Sequence, residues 1–169
     1  MDKMRTIAIH ILALTVSLFV LSGQAYAEEK KVESFKDWGR SCEKPEGVDK
    51  EICYIFQNLT MKDSGKKILD ISIGYPPKKD KTVLSLLLPL GVALKAGVQI
   101  KVDEGKPTRF GYDVCSGAGC RAFLILEDAM VISMKKGSKA YVTFANLQGK
   151  GIAIPVSLSG FTGAFNSLR

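Results

Sequence analysis

Four cysteines, Cys42, Cys53, Cys115 and Cys120, are the residues of this chain best equipped for chemistry. A thiol serves as nucleophile, metal ligand, redox partner or staple, and spacing separates these roles. A four-cysteine zinc site is normally built from two close pairs, whereas the whole segment Glu43–Ile52 separates the first two cysteines here. A redox pair more often reads C-x-x-C, which neither spacing matches. An even count instead suits two disulfides. Of the three possible connectivities, Cys42–Cys53 and Cys115–Cys120 are expected, because each pair is local and bracketed by turn formers. Pro45 and Gly47 lie inside the first pair, and Ser116-Gly117-Ala118-Gly119 forms the tip of the second.

Other chemistries thin out quickly. The single histidine, His10, falls in an N-terminal leader, so the remaining chain has no imidazole for a Ser-His-Asp or Cys-His site or for a His-ligated metal. The acids Asp37, Asp70, Asp103, Asp113, Glu127 and Asp128 are scattered, and Ser133 with Lys136 gives only a common S-x-x-K spacing. No catalytic residue, cofactor or metal site is therefore expected. Trp38 and Tyr54 have faces that stack on a sugar, although a sole tryptophan in a β-sandwich is more often core. Lys78 and Lys79 head the basic candidates for ligand contact.

The leader sets the compartment. Lys3 and Arg5 precede an apolar run, Ile7 to Leu21, which ends at Ala25-Tyr26-Ala27. This is the pattern of a cleaved secretory signal over residues 1–27, and the run falls short of the roughly 20 residues that span a bilayer. The expected mature chain, residues 28–169, is one domain of 142 residues carrying 22 basic and 16 acidic side chains, net +6. Residues 28–60 hold net −2 and residues 61–169 net +8. A basic exported protein can adhere to anionic lipid, glycan or protein, whereas nucleic acid is not an expected partner.

The elements that must position these groups are short and β-rich. A first strand is expected around Phe35–Trp38, followed by strands at Ile52–Leu59 and Lys67–Tyr75. The apolar run Thr82–Leu88 suggests a strand buried on both faces. Val98–Val102 alternates cleanly. Arg109–Val114 and Arg121–Leu126 suggest a hairpin through the Cys115–Cys120 tip, and Glu127–Met134 a helix. Lys139–Leu147 and Gly151–Leu158 suggest a second hairpin, with Pro155 marking an edge or bulge. Phe161, Ala164, Phe165 and Leu168 fall at helical spacing within Gly160–Leu168. Eight or nine closely spaced strands argue for an all-β sandwich with short helical segments.

Several motifs together resemble the invasion-associated locus B family. They are Leu88-Pro89-Leu90-Gly91-Val92-Ala93-Leu94-Lys95-Ala96-Gly97-Val98 with Ile100-Lys101-Val102-Asp103, Cys115 with Gly119-Cys120, Tyr141-Val142, and Pro155 through Phe165. Trp38 and Cys42…Cys53 fit the same pattern. The resemblance implies an exported bacterial protein with an immunoglobulin-like β-sandwich and a non-catalytic role in entry into host cells, notably erythrocytes. It implies a periplasmic location, with secretion or outer-membrane association. Its partner would be a component of the host-cell surface or bacterial envelope. Two alternatives stand beside it: a periplasmic chaperone or inhibitor offering an edge strand, and a carboxylate-dependent hydrolase.

Overall fold

Alternation of apolar and polar residues dictates most of the architecture, because successive strand side chains point to opposite faces. The structure, a computed structural model, describes residues 31–77 and 81–168. Within them lie strands β1 (Val32–Phe35), β2 (Trp38–Glu43), β3 (Ile52–Thr60), β4 (Lys67–Gly74), β5 (Val83–Leu88), β6 (Val98–Val102), β7 (Thr108–Phe110), β8 (Val114–Ser116) and β9 (Gly119–Ile125). Helix α1 (Asp128–Lys136), strands β10 (Lys139–Ala145) and β11 (Gly151–Ser157) and helix α2 (Phe161–Asn166) follow. A seven-stranded sheet runs β1-β2-β3-β4-β5-β9-β8 and a four-stranded sheet runs β11-β10-β6-β7, with every pairing antiparallel. This is the all-β sandwich that the strand spacing predicts.

The core lies between the sheets. Ile55, Leu69, Ile71, Ile73, Leu84, Leu86 and Leu88 come from the larger sheet; Val98, Ile100, Val142, Phe144, Ile154 and Val156 come from the smaller. Met134 of α1 and Phe161 and Ala164 of α2 extend the same cluster. At the β2 end, Trp38 packs edge-on against Phe161, with ring centroids 5.2 Å apart. The Ser157 carbonyl there accepts two bonds, from Trp38 Nε1 at 2.9 Å and from Gln57 Nε2 at 2.7 Å. Since Trp38 and Gln57 belong to the larger sheet and Ser157 to the smaller, this acceptor ties the layers together.

Three local expectations change. The segment Phe35–Trp38 is the turn of the β1–β2 hairpin rather than a strand: Lys36 has φ 55, and the Asp37 N–H donates to the Ser159 carbonyl. Strand β5 is buried on one face only, with Leu84, Leu86 and Leu88 inward and Val83, Ser85 and Leu87 partly exposed outside. Arg109–Val114 is not one hairpin arm. Thr108–Phe110 pairs with β6, whereas Val114–Ser116 pairs with β9, so the chain changes sheet between them. Val92 makes an isolated bridge to Asn146, and Leu94–Ala96 forms a 3-10 turn. Both predicted helices are present, and β11 is an edge strand as Pro155 implies.

Candidate binding cleft on the outer sheet face

Pairing register decides which outward side chains meet. One row across the larger sheet runs Gly39, Phe56, Ser72, Ser85, Phe123. The row beside it runs Ser41, Tyr54, Gly74, Val83, Ile125, and the row on the other side runs Asn58, Asp70, Leu87, Arg121. Small residues, Ser72, Gly74 and Ser85, thus form a floor between the aromatic β3 and the apolar end of β9. Three strand spacings separate Phe56 from Phe123, roughly 14 Å between backbones. Most of these residues, among them Tyr54, Phe56, Ser72, Ser85 and Phe123, line an open cleft of about 500 Å³, a volume in the range of small-ligand sites.

Two glycines shape it. A Cβ on Gly39 would sit 2.8 Å from Phe56 Cζ, so the Phe56 ring lies across the β2 backbone and leans away from the floor. A Cβ on Gly74 would sit 2.9 Å from the Cys53 carbonyl, so only glycine fits that floor position. Tyr54 stands beside Phe56, with ring centroids 5.9 Å apart at a 50° tilt. On the opposite wall Phe123 is 44% exposed; Ile125, on the same face of β9 but outside the cleft lining, is 47% exposed. At the polar end, Asp70 Oδ2 accepts from Lys67 Nζ at 2.9 Å, while Asp70 Oδ1 is shielded and has no hydrogen-bond partner among the described residues. Arg121 lines the same end. The arrangement offers stacking surfaces, a hydroxyl-bearing floor and both signs of charge, which is equipment for binding.

The expected cysteine pairs are present as disulfides, with S–S distances of 2.03 Å for Cys42–Cys53 and 2.08 Å for Cys115–Cys120. Each joins residues directly opposite in register, the first across β2–β3 and the second across β8–β9. Cys53 and Cys120 immediately precede Tyr54 and Arg121, so the bonds flank the cleft on both sides. Glu51 lies close to the Cys42–Cys53 sulfurs, which supply no thiolate to a metal while they are bonded.

Of the residues singled out for ligand contact, Tyr54 lines the cleft. Trp38 is corrected to a core residue: at 1% exposure, with its N–H committed to Ser157, it offers no face to a ligand. Lys78 and Lys79 lie outside the described residues. Sequence reasoning missed Phe56, Ser72, Ser85 and Phe123. The available signal was β9, where Phe123 and Ile125 alternate with inward Ala122 and Leu124, so both faces are apolar.

The scattered acids have structural partners. Asp37 Oδ2 accepts from Ser157 Oγ at 2.6 Å, and Asp113 Oδ2 from the Phe123 N–H at 2.8 Å. Asp103 accepts from the Ser138 and Lys139 N–H groups at 3.0 and 2.9 Å. Those bonds, Ser138's first, hold its carboxyl below the ordinary 3.8. Glu127 and Asp128 sit at the start of α1, where a negative charge suits the helix dipole. Ser133 Oγ donates to the Ala129 carbonyl at 2.9 Å within that helix. Burial pushes the Tyr112 hydroxyl up to about 12, so it stays neutral. Among the described residues, no helix is long and apolar enough to cross a membrane.

Comparison with known proteins places this geometry in a family. The family model described as "Invasion associated locus B (IalB) protein" matches residues 38–169. An invasion protein B homolog of Brucella abortus (strain 2308) is 25% identical over 138 residues, which cover 81% of this chain and 78% of that protein. The homolog of Brucella abortus biovar 1 (strain 9-941) gives the same values. The crystal structure of invasion associated protein b from Bartonella henselae superposes with a TM-score of 0.71 at 23% identity, covering 82% of this chain and 94% of the other. That likeness concerns the fold. The family match begins at Trp38 and runs through both disulfides and both sheets to Arg169, and the chain belongs to the invasion associated locus B family.

Proposed function

We propose that this protein is an exported, non-catalytic binding protein that contributes to host-cell invasion by engaging a surface component through the outer face of its larger sheet. The observation that carries the reading is the cleft itself. Tyr54, Phe56 and Phe123 hold apolar surface beside solvent where the sandwich core does not need it. Two disulfides support an extracytoplasmic location, since such bonds persist in oxidising compartments. The names of the Brucella and Bartonella relatives support the invasion role. The dispersal of the acids into separate structural contacts supports a non-catalytic reading over the hydrolase.

The test is binding of the exported protein to erythrocyte membranes and to bacterial envelope fractions. Phe123→Ser and Tyr54→Ser should each lower binding at least tenfold, and Ile132→Ser, on the exposed face of α1, should not. Equal binding by all three variants, or no binding to either preparation, overturns the proposal. A second reading, a periplasmic accessory factor acting by strand addition, rests on β11, which among the described residues pairs only with β10. Pro155 limits the run open to such a partner to Gly151–Ile154. Retained partner capture by the cleft variants, and its loss in Ala153→Pro, would favour that role.

A further inference from the structure

A second exposed apolar surface, distinct from the cleft lining, lies at one end of the sandwich. There the β5–β6 connection and the β10–β11 turn run side by side. The Ala93 N–H donates to the Ala145 carbonyl at 2.8 Å and the Leu147 N–H to the Gly91 carbonyl at 3.1 Å, on either side of the Val92–Asn146 bridge. This stapling places three leucines on adjacent loops: Leu90 at 59% exposure, Leu94 at 54% and Leu147 at 72%. A loop tip rarely keeps three leucines in water without a partner for them. Backbone hydrogen bonds hold both loops, so the leucines are presented on a rigid support.

Charge decides which partner fits. Lys95 and Lys150 are exposed on the same two loops, and Arg109 lies beside them, its Cγ 3.9 Å from the Cβ position of Gly97. From Lys81 to Val102 and from Lys139 to Leu168 the sequence contains no aspartate or glutamate. The β3–β4 turn leaves the same end of the larger sheet with Met61 exposed, and Lys62 and Lys66 outnumber Asp63 there. Apolar tips ringed by cations match the bilayer interface, where acyl chains take the apolar side chains and anionic headgroups take the cations.

We propose that the tip formed by Leu90, Leu94 and Leu147 inserts shallowly into anionic phospholipid bilayers, with Lys95, Lys150 and Arg109 against the headgroups. The contact is peripheral and reversible, and it leaves the cleft open.

The exported, oxidised protein is mixed with vesicles of phosphatidylcholine alone or with 30% phosphatidylglycerol. Sedimentation should show preference for the anionic vesicles, weakening as salt rises. Lys95→Gln and Lys150→Gln should each lower partitioning about fivefold, and Leu147→Ser about tenfold. Location is read separately with tryptophan reporters, since the native Trp38 is buried. Leu147→Trp should shift its emission to the blue and be quenched by brominated lipid, whereas Glu104→Trp, on the distant β6–β7 turn, should not. Equal binding to both vesicles, no binding, or equal quenching of the two reporters overturns the proposal. The substituted residues are exposed, and unchanged unfolding midpoints show that any loss is not one of folding.

Discussion

Removing both donors to the Ser157 carbonyl should cost more than removing each in turn. Trp38 Nε1 and Gln57 Nε2 bond the same acceptor at 2.9 and 2.7 Å, at the β2 end of the core. Trp38→Phe keeps an aromatic ring against Phe161 but loses one bond and part of the indole volume, for about 2–3 kcal/mol. Gln57→Leu loses the other bond and replaces a buried amide with an apolar group, for about 1 kcal/mol. In either single variant the carbonyl keeps a partner. In the double variant it has neither, and a buried acceptor left unmade costs an additional 1–3 kcal/mol or so. The double variant should therefore exceed the sum of the singles by about 1–2 kcal/mol. Urea unfolding of the four proteins with disulfides intact measures this, provided the denaturant slope is unchanged across the set. Additivity within about 0.5 kcal/mol would refute the idea that one shared acceptor ties the sheets.

Three further outcomes follow from single sites. Asp103 binds two backbone N–H groups with its carboxyl held below the ordinary 3.8, so its contribution is present above that pH and lost as pH falls through the lowered value. Asp103→Asn, which also tolerates the positive φ of 43, should flatten the acid limb of a stability–pH curve; an unchanged limb would contradict the assignment. Gly160→Ala should cost about 2–4 kcal/mol, because its φ is +88 and a Cβ there would overlap the Phe35 carbonyl. Gly149→Ala, at φ +76 in open space, isolates the backbone term and should cost only about 1 kcal/mol; equal losses would mean that the Phe35 contact is immaterial. Replacing Cys42 and Cys53 together by serine should lower stability by about 3 kcal/mol, and replacing Cys115 and Cys120 by about 2 kcal/mol, following loop length. Calorimetry that reverses this order would show that loop entropy does not govern the bonds.

Local physics made part of this legible. The disulfides could be read because each pair closes a short loop between neighbouring strands, and Ile52–Leu59 or Lys139–Leu147 because alternation within one segment fixes the inward face. Failures arose where a distant partner decides. Phe35-Lys36-Asp37-Trp38 alternates like a strand, yet Asp37 bonds Ser159 and Ser157, which come more than a hundred residues later, and the chain turns. Thr82–Leu88 reads as buried on both faces because Val83 and Leu87 are apolar, although among the described residues no second layer covers them. The cleft was the least legible feature. Its lining comes from β3, β4, β5 and β9, and pairing register aligns Phe56, Ser72, Ser85 and Phe123 although nothing in their spacing announces it.

That same register separates what the fold needs from what a ligand would need. Inward positions of β9, Cys120, Ala122 and Leu124, face the core, whereas outward Phe123 and Ile125 stand beside solvent. Large apolar side chains at half exposure add little to stability and raise the risk of aggregation, so folding alone gives no reason for them. The disulfides reinforce this separation, since they pin β2 to β3 and β8 to β9 and so fix both cleft walls independently of what fills the space between them. Phe123→Ser should accordingly leave the unfolding midpoint within the equivalent of about 0.5 kcal/mol while lowering binding to erythrocyte membranes at least tenfold. A loss of 2 kcal/mol or more, measured in the same urea titration, would show instead that the Phe123 ring is part of the sandwich's packing, and the cleft would lose its claim to be a site.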